Sequence, residues 1–313
     1  MSQLLDIHPA SPDELAAAHR NVFDIWSKGL TLEEHLRYRL DESPSHSRAA
    51  WFVGCLDGRV VVSLGAYPLM FRIGDKELPG IAIGSVYTVG EYRGRGFAPQ
   101  LIKYVEDHYR AKETALSALY SDIKPDYYVR LGYVLCPAFS GWCDLRDTSP
   151  PRTGRQRLAQ VAPQSHLLAL MRLYADYHGA TPLSIARNAE YWSMTFKKAP
   201  DDRFYALVAS GGHWAGYVRI AAKGHDWRIT DFALADQSDE LADSLYGALA
   251  ALARAEGAER FGGWLPDSSA AKNFFKMAPR QVEITMIKPL AWQGEFTSEM
   301  IAATGRFCEI DHV

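Results

Sequence analysis

Val86-Tyr87-Thr88-Val89-Gly90-Glu91-Tyr92-Arg93-Gly94-Arg95-Gly96-Phe97-Ala98 is the stretch whose reading decides the fold. It reads as a buried strand, a tight basic glycine turn and the first turn of a helix. Such a turn gathers backbone N–H groups at a helix N-terminus, where the helix dipole also favours negative charge. Gly94 and Gly96 allow close approach of an anion and backbone angles that other residues avoid. Arg93 and Arg95 add charge-assisted contacts to phosphate oxygens. Pro99 lacks an N–H but suits a first helical turn. The expectation is a pyrophosphate-bearing cofactor; the plainer alternative is a basic surface turn whose glycines serve geometry alone.

Working outward, Phe97, Leu101, Val105 and Tyr109 recur every fourth residue, with Ile102 on the same face, so an amphipathic helix follows the turn. Upstream, Ala50–Leu56 and Arg59–Pro68 read as strands around Asp57-Gly58, a strong hairpin signal. Phe71–Ile73 and Leu78–Ile83 flank a second turn at Gly74-Asp75, and Ile83–Thr88 continues as a buried strand. Two helical stretches within residues 13–43 precede them. Downstream come a strand over Leu116–Ser121, a short helix over Asp126–Leu131 closed by Gly132, and a strand from Tyr133 to Leu135. This order is α/β: a mixed central sheet flanked by helices.

The chain of 313 residues is comfortable for two domains. Its 34 Lys and Arg against 37 Asp and Glu give a net charge of −3, without the basic excess of a nucleic-acid binder. No apolar run approaches bilayer-spanning length, and Met1–Asp6 lacks a basic segment followed by an apolar one. No nucleic-acid or membrane partner is expected, and the location expected is cytoplasmic. The four cysteines are scattered without a CxxC pair, and the ten histidines lack HExxH spacing, so no metal is expected.

Ser149-Pro150-Pro151-Arg152-Thr153-Gly154 is the best linker candidate. It divides the chain into a first domain over 1–148, a second over 155–292 and a tail over 293–313. The second unit reads as helices over His166–His178 and Asn188–Phe196, then a hairpin around Gly211-Gly212. A strand over Trp227–Ala233, a helix over Leu241–Ala255, a strand over Arg260–Trp264, a short helix over Ser268–Phe275 and a strand over Val282–Ile287 complete it. That repeats the element order of the first unit. Where the basic turn should recur stands Ala235-Asp236-Gln237-Ser238-Asp239, whose acids repel a pyrophosphate. A duplicated fold with one surviving cofactor site is expected.

The stretch from Ile81 to Leu135 resembles the core of the GNAT (Gcn5-related) N-acetyltransferases. Arg93-Gly94-Arg95-Gly96-Phe97-Ala98 fits their (Arg/Gln)-x-x-Gly-x-(Gly/Ala) motif, and Tyr128-Val129-Arg130-Leu131-Gly132-Tyr133 fits their Tyr-x-x-x-Gly-(Phe/Tyr) ending. The resemblance implies a GNAT fold with a second, degenerate GNAT-like module, and acetyl-CoA as cosubstrate. It implies that Val86, Tyr87 and Thr88 pair with the pantetheine arm and that the N–H groups from Gly94 to Ala98 hold the pyrophosphate. A proline common in the family two residues after the Thr88 position is Gly90 here. Tyr128 takes the family's role of acid toward the departing thiolate, for which a phenol is suited. The strand Ile81–Thr88 carries no carboxylate, so the base is open between Asp122 after the next strand, water, and capture of an already neutral amine.

The tandem arrangement is similar to Eis-type acetyltransferases and to fungal lysine N6-acetyltransferases, on Ser85–Thr88, Tyr92–Gly96 and Met286–Leu290. Eis-type members use their C-terminal carboxylate as base, which makes Val313 a further candidate. Trp26, Tyr67, Met70 and Phe71 are candidates for lining an acceptor site, and Asp231 for attracting a cationic amine; core packing is the plainer reading of the first four, and a solvated strand end that of Asp231. The expected reaction is acetyl transfer from acetyl-CoA to a primary amine in a ternary complex. A longer acyl donor, or a module that binds acyl-CoA without turnover, are the alternatives. The acceptor and self-association are not legible.

Overall fold

The computed structural model describes residues 5–146 and 156–313. The expected linker at 149–154 lies outside them. From the N-terminus run β1 (Asp6–Pro9), α1 (Pro12–Asn21), α2 (Phe23–Trp26), α3 (Leu32–Arg37), β2 (Ala50–Leu56), β3 (Arg59–Ile73) and β4 (Lys76–Thr88). Then come α4 (Phe97–Arg110), β5 (Leu116–Ser121), α5 (Asp126–Val129), β6 (Val134–Leu135) and β7 (Phe139–Asp144). Ser11 and Thr31 start α1 and α3 with capping boxes to Glu14 and Glu34.

After the linker come β8 (Arg157–Val161), α6 (Leu167–Gly179), β9 (Leu183–Ala186), α7 (Ala189–Lys198), β10 (Arg203–Val208), β11 (Trp214–Lys223) and β12 (Asp226–Leu234). The chain closes with α8 (Asp239–Ala255), β13 (Arg260–Trp264), α9 (Ser269–Phe274), β14 (Lys276–Pro279), β15 (Ile284–Pro289), α10 (Ser298–Ala303) and two 3-10 turns, over Thr304–Arg306 and Glu309–Asp311. The order β2-β3-β4-α4-β5-α5 is repeated by β10-β11-β12-α8-β13-α9, so the modules share one topology. The expected strands over 59–68 and 71–73 are one long strand, as are those over 78–83 and 83–88; alternation with apolar positions carries straight through Leu69 and Ile83.

Among the described residues the strands form two sheets. The first runs β1-β2-β3-β4-β5-β15-β6, with β9 also on β3; the second runs β14-β7-β13-β12-β11-β10-β8. Each module has one parallel pair at its centre: β4 with β5, and β12 with β13. The sheets do not follow the expected boundaries. β7 lies before the linker yet pairs antiparallel with β13, Arg260 opposite Asp144. β15 lies at the far end of the second unit yet pairs with β5, Ile284 opposite Ser121. The modules exchange a strand, so each sheet is closed by residues from the other half. The period-2 pattern marks a strand but carries no information about its partner.

The helix α4 lays Leu101, Ile102 and Val105 on the first sheet, where they join Phe52, Leu64, Ile81 and Met286, all at most 1% exposed. Burying such aliphatic side chains contributes roughly 1.5–3 kcal/mol each. This packing fixes the N-terminus of α4 against the end of β4, which is where the site forms.

Candidate active site

β4 and β5 pair in parallel only from Gly80–Leu116 to Ile83–Leu119, although β4 continues to Thr88 and β5 to Ser121. The strands therefore splay after Ile83. On its other side β4 carries a bulge: Ser63 faces Tyr87 and Gly65 faces Gly84, so Ser85 and Val86 together oppose Leu64. Ser85 takes a left-handed φ of 53° to make it. The splay leaves one edge of Ser85–Thr88 open to a cleft of about 750 Å³, and an open strand edge is the kind of surface an extended chain can join.

The basic turn closes one end of that cleft. Gly94 and Gly96 have φ of 77° and 79°, and Gly96, as the N-cap of α4, brings no side chain to occupy the N–H groups. The arginines brace the turn. Arg93 Nε donates to the Thr88 carbonyl at 3.0 Å and its guanidinium lies over Tyr87; Arg95 Nη2 donates to the Glu91 carbonyl at 3.3 Å and lies over Tyr92. Phe97 and Ala98 also line the cleft. In the second module Ser238 caps α8 through the Leu241 N–H, and Asp236 accepts from the Ser238 N–H and hydroxyl. An aspartate and a side-chain cap stand there in place of open N–H groups.

Tyr128 lies on α5 at the opposite wall, 8% exposed, edge-on to Tyr127 and Tyr133. Burial, then Tyr127 and Asp122, push its phenol up to about 12, so it holds its proton at neutral pH. Asp122 is at the mouth, exposed, with Oδ1 accepting the Glu283 N–H at 3.2 Å. Tyr120, which sequence reasoning missed, also lines the cleft; its buried hydroxyl has no protein partner among the described residues. A hydroxyl one position from the end of a strand that enters the cleft was the available signal.

The tail reaches the same place. A Cβ built on Gly84 would lie 3.1 Å from Val313 Cγ2 and 3.4 Å from a Val313 terminal oxygen. Gly84 thus makes room for Val313 beside the bulge. His312 packs edge-on to Tyr120, and burial pushes its imidazole down to about 3. Lys198 Nζ donates to the carbonyls of Ile310, at 2.9 Å, and His312; burial pushes its ammonium down to about 8. Deeper still, the fully buried Arg187 gives two bonds to Asp311, Nε at 3.0 Å and Nη2 at 2.7 Å, and a third from Nη1 to Asp231 at 2.6 Å. Tyr191 donates to Asp311 and Tyr217 to Asp231, each at 3.1 Å.

Asp231 is therefore committed to Arg187 and is not a solvated acid awaiting an amine. Trp26 lines the cleft edge-on to Tyr87. Tyr67 is buried, its hydroxyl 3.4 Å from Ser85 Oγ, and shares a small pocket with Val313. Phe71 is fully buried core between the modules, and Met70 is partly exposed opposite Pro79 and Ala186, away from the cleft lining. Among the described residues one group, His8, Glu14 and Cys55, brings metal-type donors together; it sits where β1, α1 and β2 meet, and His8 Nε2 and Glu14 Oε1 pair at 2.9 Å. No helix among the described residues is long and apolar enough to cross a membrane.

A splayed parallel pair beside a glycine-turn helix N-terminus defines the fold class of the acyltransferases that bind acyl-CoA. Residues 7–136 match the Acetyltransferase (GNAT) domain family, so the first module carries a GNAT acetyltransferase domain. Solved structures extend the likeness across both modules. A conserved protein from Enterococcus faecalis, described as a probable N-acyltransferase, is 16% identical with a TM-score of 0.73, covering 93% of this chain and 73% of its own. Eis1 from Mycobacterium abscessus is 16% identical with a TM-score of 0.60, over 92% of this chain and 74% of its own. Saccharomyces cerevisiae N-myristoyltransferase with bound myristoyl-CoA is 10% identical with a TM-score of 0.60, over 94% and 84%. At these identities the likeness is one of fold. No curated protein sequence matches this one.

Proposed function

We propose that the protein transfers an acetyl group from acetyl-CoA to a primary amine, by direct attack within a ternary complex. The observation that carries this reading is the meeting of three chemistries on one strand end: the open edge of Ser85–Thr88, the protonated phenol of Tyr128 in the same cleft, and Val313 against Gly84. The pantetheine arm pairs with Val86, Tyr87 and Thr88, and the pyrophosphate lies on the N–H groups of Gly94–Ala98, with Arg93 and Arg95 fixing the turn.

The amine nitrogen attacks the thioester carbonyl, forming the C–N bond. Charge develops on the carbonyl oxygen, which a strand N–H at the splay stabilises. Collapse breaks the C–S bond, and Tyr128 gives its proton to the departing thiolate. In a chain that ends at Val313, its carboxylate takes the proton lost by the amine. Asp122 is the weaker candidate, because it is exposed and already accepts from the Glu283 N–H.

Thiol release measured over acyl-CoA donors of increasing length and over a panel of amines tests this reading. Acetyl-CoA with at least one amine class gives turnover, and Tyr128→Phe lowers kcat by about 10²-fold or more while leaving acetyl-CoA affinity intact. Turnover only with long acyl donors corrects the donor. Acetyl-CoA binding without turnover on any amine, unaffected by Tyr128→Phe, overturns catalysis in favour of a binding module.

A further inference from the structure

We infer that the second module is a dock for the chain's last residues, and that Arg187, Asp311 and Asp231 are positioning residues that set Val313 against the β4 bulge. This rests on the proposed role of Val313 as base. The topology supplies the first argument. In the second module β12 and β13 pair in parallel only from Asp226–Arg260 to Ile229–Gly263, although β12 runs on to Leu234. A bulge comes directly after, Arg219 facing Asp231 and Ile220 facing Ile229, with Thr230 between. This is the same splay and bulge that open the cofactor cleft of the first module. Here the opening is filled from within: Asp231, on β12 just past the last parallel pair, is joined through Arg187 to Asp311 of the tail. Cys308 and Ile310, each 5% exposed, pack in the second module's core beside it. The degenerate cofactor cleft has become a socket.

The chemistry of the socket supplies the second argument. Apolar burial of Cys308 and Ile310 would hold the tail but would leave its register free. A guanidinium that meets Asp311 with two parallel bonds fixes register and orientation together. Asp311 is two residues from Val313, and a slip of one residue in an extended segment displaces the residues beyond it by about 3.3 Å. A general base must lie within hydrogen-bond reach of its proton, so such a slip removes it from the reaction. Tyr191 on the Asp311 carboxylate and Lys198 on the carbonyls of Ile310 and His312 restrain the same segment from α7.

The test compares the 313-residue wild type with Asp311→Asn, Arg187→Lys, Tyr191→Phe and a form extended by two residues after Val313. Turnover is measured as kcat and KM for both substrates from about pH 6.5 to 9.5, and carboxypeptidase release of Val313 is tracked on the same proteins. Wild type resists release; Asp311→Asn and Arg187→Lys release Val313 at least about tenfold faster and lose about 10- to 100-fold in kcat, with KM for acetyl-CoA unchanged. Their deficit shrinks as pH rises, because a free amine no longer needs the base. Tyr191→Phe, which removes one bond and keeps the packing, shows a smaller loss with the same pH trend, and serves if the charge variants do not fold. Unchanged Val313 release in Tyr191→Phe and Arg187→Lys overturns the socket. A loss in kcat that is constant with pH and tracks thermal stability overturns positioning. If the extended form turns over like wild type, the base reading fails, while the release data still decide whether the socket exists.

Discussion

Gly84→Ala isolates the contact on which the tail's placement depends. The φ at Gly84 is not left-handed, so alanine meets no backbone penalty, and the effect comes from its Cβ alone. That Cβ would stand 3.1 Å from both Val313 Cγ2 and Tyr67 Cε2. Carbon atoms rest at about 3.5–4.0 Å, so both neighbours must give way, by about 0.5 Å each. Tyr67 is 3% exposed and held by Trp51 and Ser85, so it yields by a small ring tilt, whereas Val313 is only partly buried and shifts as a whole. Overpacking that is relieved by a movable segment costs about 1 kcal/mol of stability. A displacement of about 1 Å at a reacting group costs about 10²-fold, so half of that costs about tenfold in kcat. Thiol release gives kcat and KM, and thermal melting gives the stability change. Val313→Ala removes Cγ2 and restores most of the rate when combined with Gly84→Ala, a coupling that a double-mutant cycle measures. Wild-type kcat in Gly84→Ala, or a loss that Val313→Ala leaves untouched, refutes the reasoning.

Gly96→Ala forces a side chain into a left-handed N-cap at φ 79°, so stability falls by about 1 kcal/mol and KM for acetyl-CoA rises several-fold, read by melting and by initial rates. Acid weakens the fold through His19, His46, His178 and His312, which burial pushes down to about 4, 3, 3 and 3. Their folded values lie below the ordinary value of about 6.5, so the unfolded chain binds more protons; stability is full above about pH 6.5 and falls as pH drops from there toward about 4 for His19 and about 3 for the other three, by up to about 1.4 kcal/mol per unit for each histidine. Melting temperatures from about pH 8 to pH 5 that stay flat would contradict this. A fragment of residues 1–146 lacks β15 and does not reach the native fold alone; mixing it with residues 156–313 restores the far-UV and near-UV circular dichroism of the whole chain, and a fragment that folds unaided refutes the need for the exchanged strand.

The glycine-turn end of the cleft was legible because it is local. Gly94, Gly96 and the apolar face of α4 act over a short span, and turn chemistry and helix period read directly from it. Tyr128 and Gly132 were legible through their spacing from the turn. The bulge was not: a serine at positive φ has no compositional mark, and Ser85 adopts it because β3 and β4 leave two residues opposite Leu64. Nor was the socket, since Arg187 and Asp311 are 124 residues apart and each alone reads as a surface charge. Tyr120 was hidden by its strand, whose small and apolar residues made a core reading sufficient. The pattern also placed a strand over 282–287, observed at Ile284–Pro289, but it assigned that strand to the wrong sheet, because alternation is blind to partners.

The exchanged strand also sets a timetable. At a synthesis rate of about 5–20 residues per second, β15 emerges roughly 8–30 s after β6, the neighbour it will separate from β5. Through that interval the nascent first sheet offers one raw margin of β5, Leu116–Ser121, every residue of which is buried in the finished protein. An apolar unpaired margin is a template for adhesion between neighbouring nascent chains. The polypeptide must therefore be shielded during translation or be finished faster than it meets its siblings, and its yield in a cell will depend on ribosome spacing and holdase supply more closely than on the stability of the mature fold.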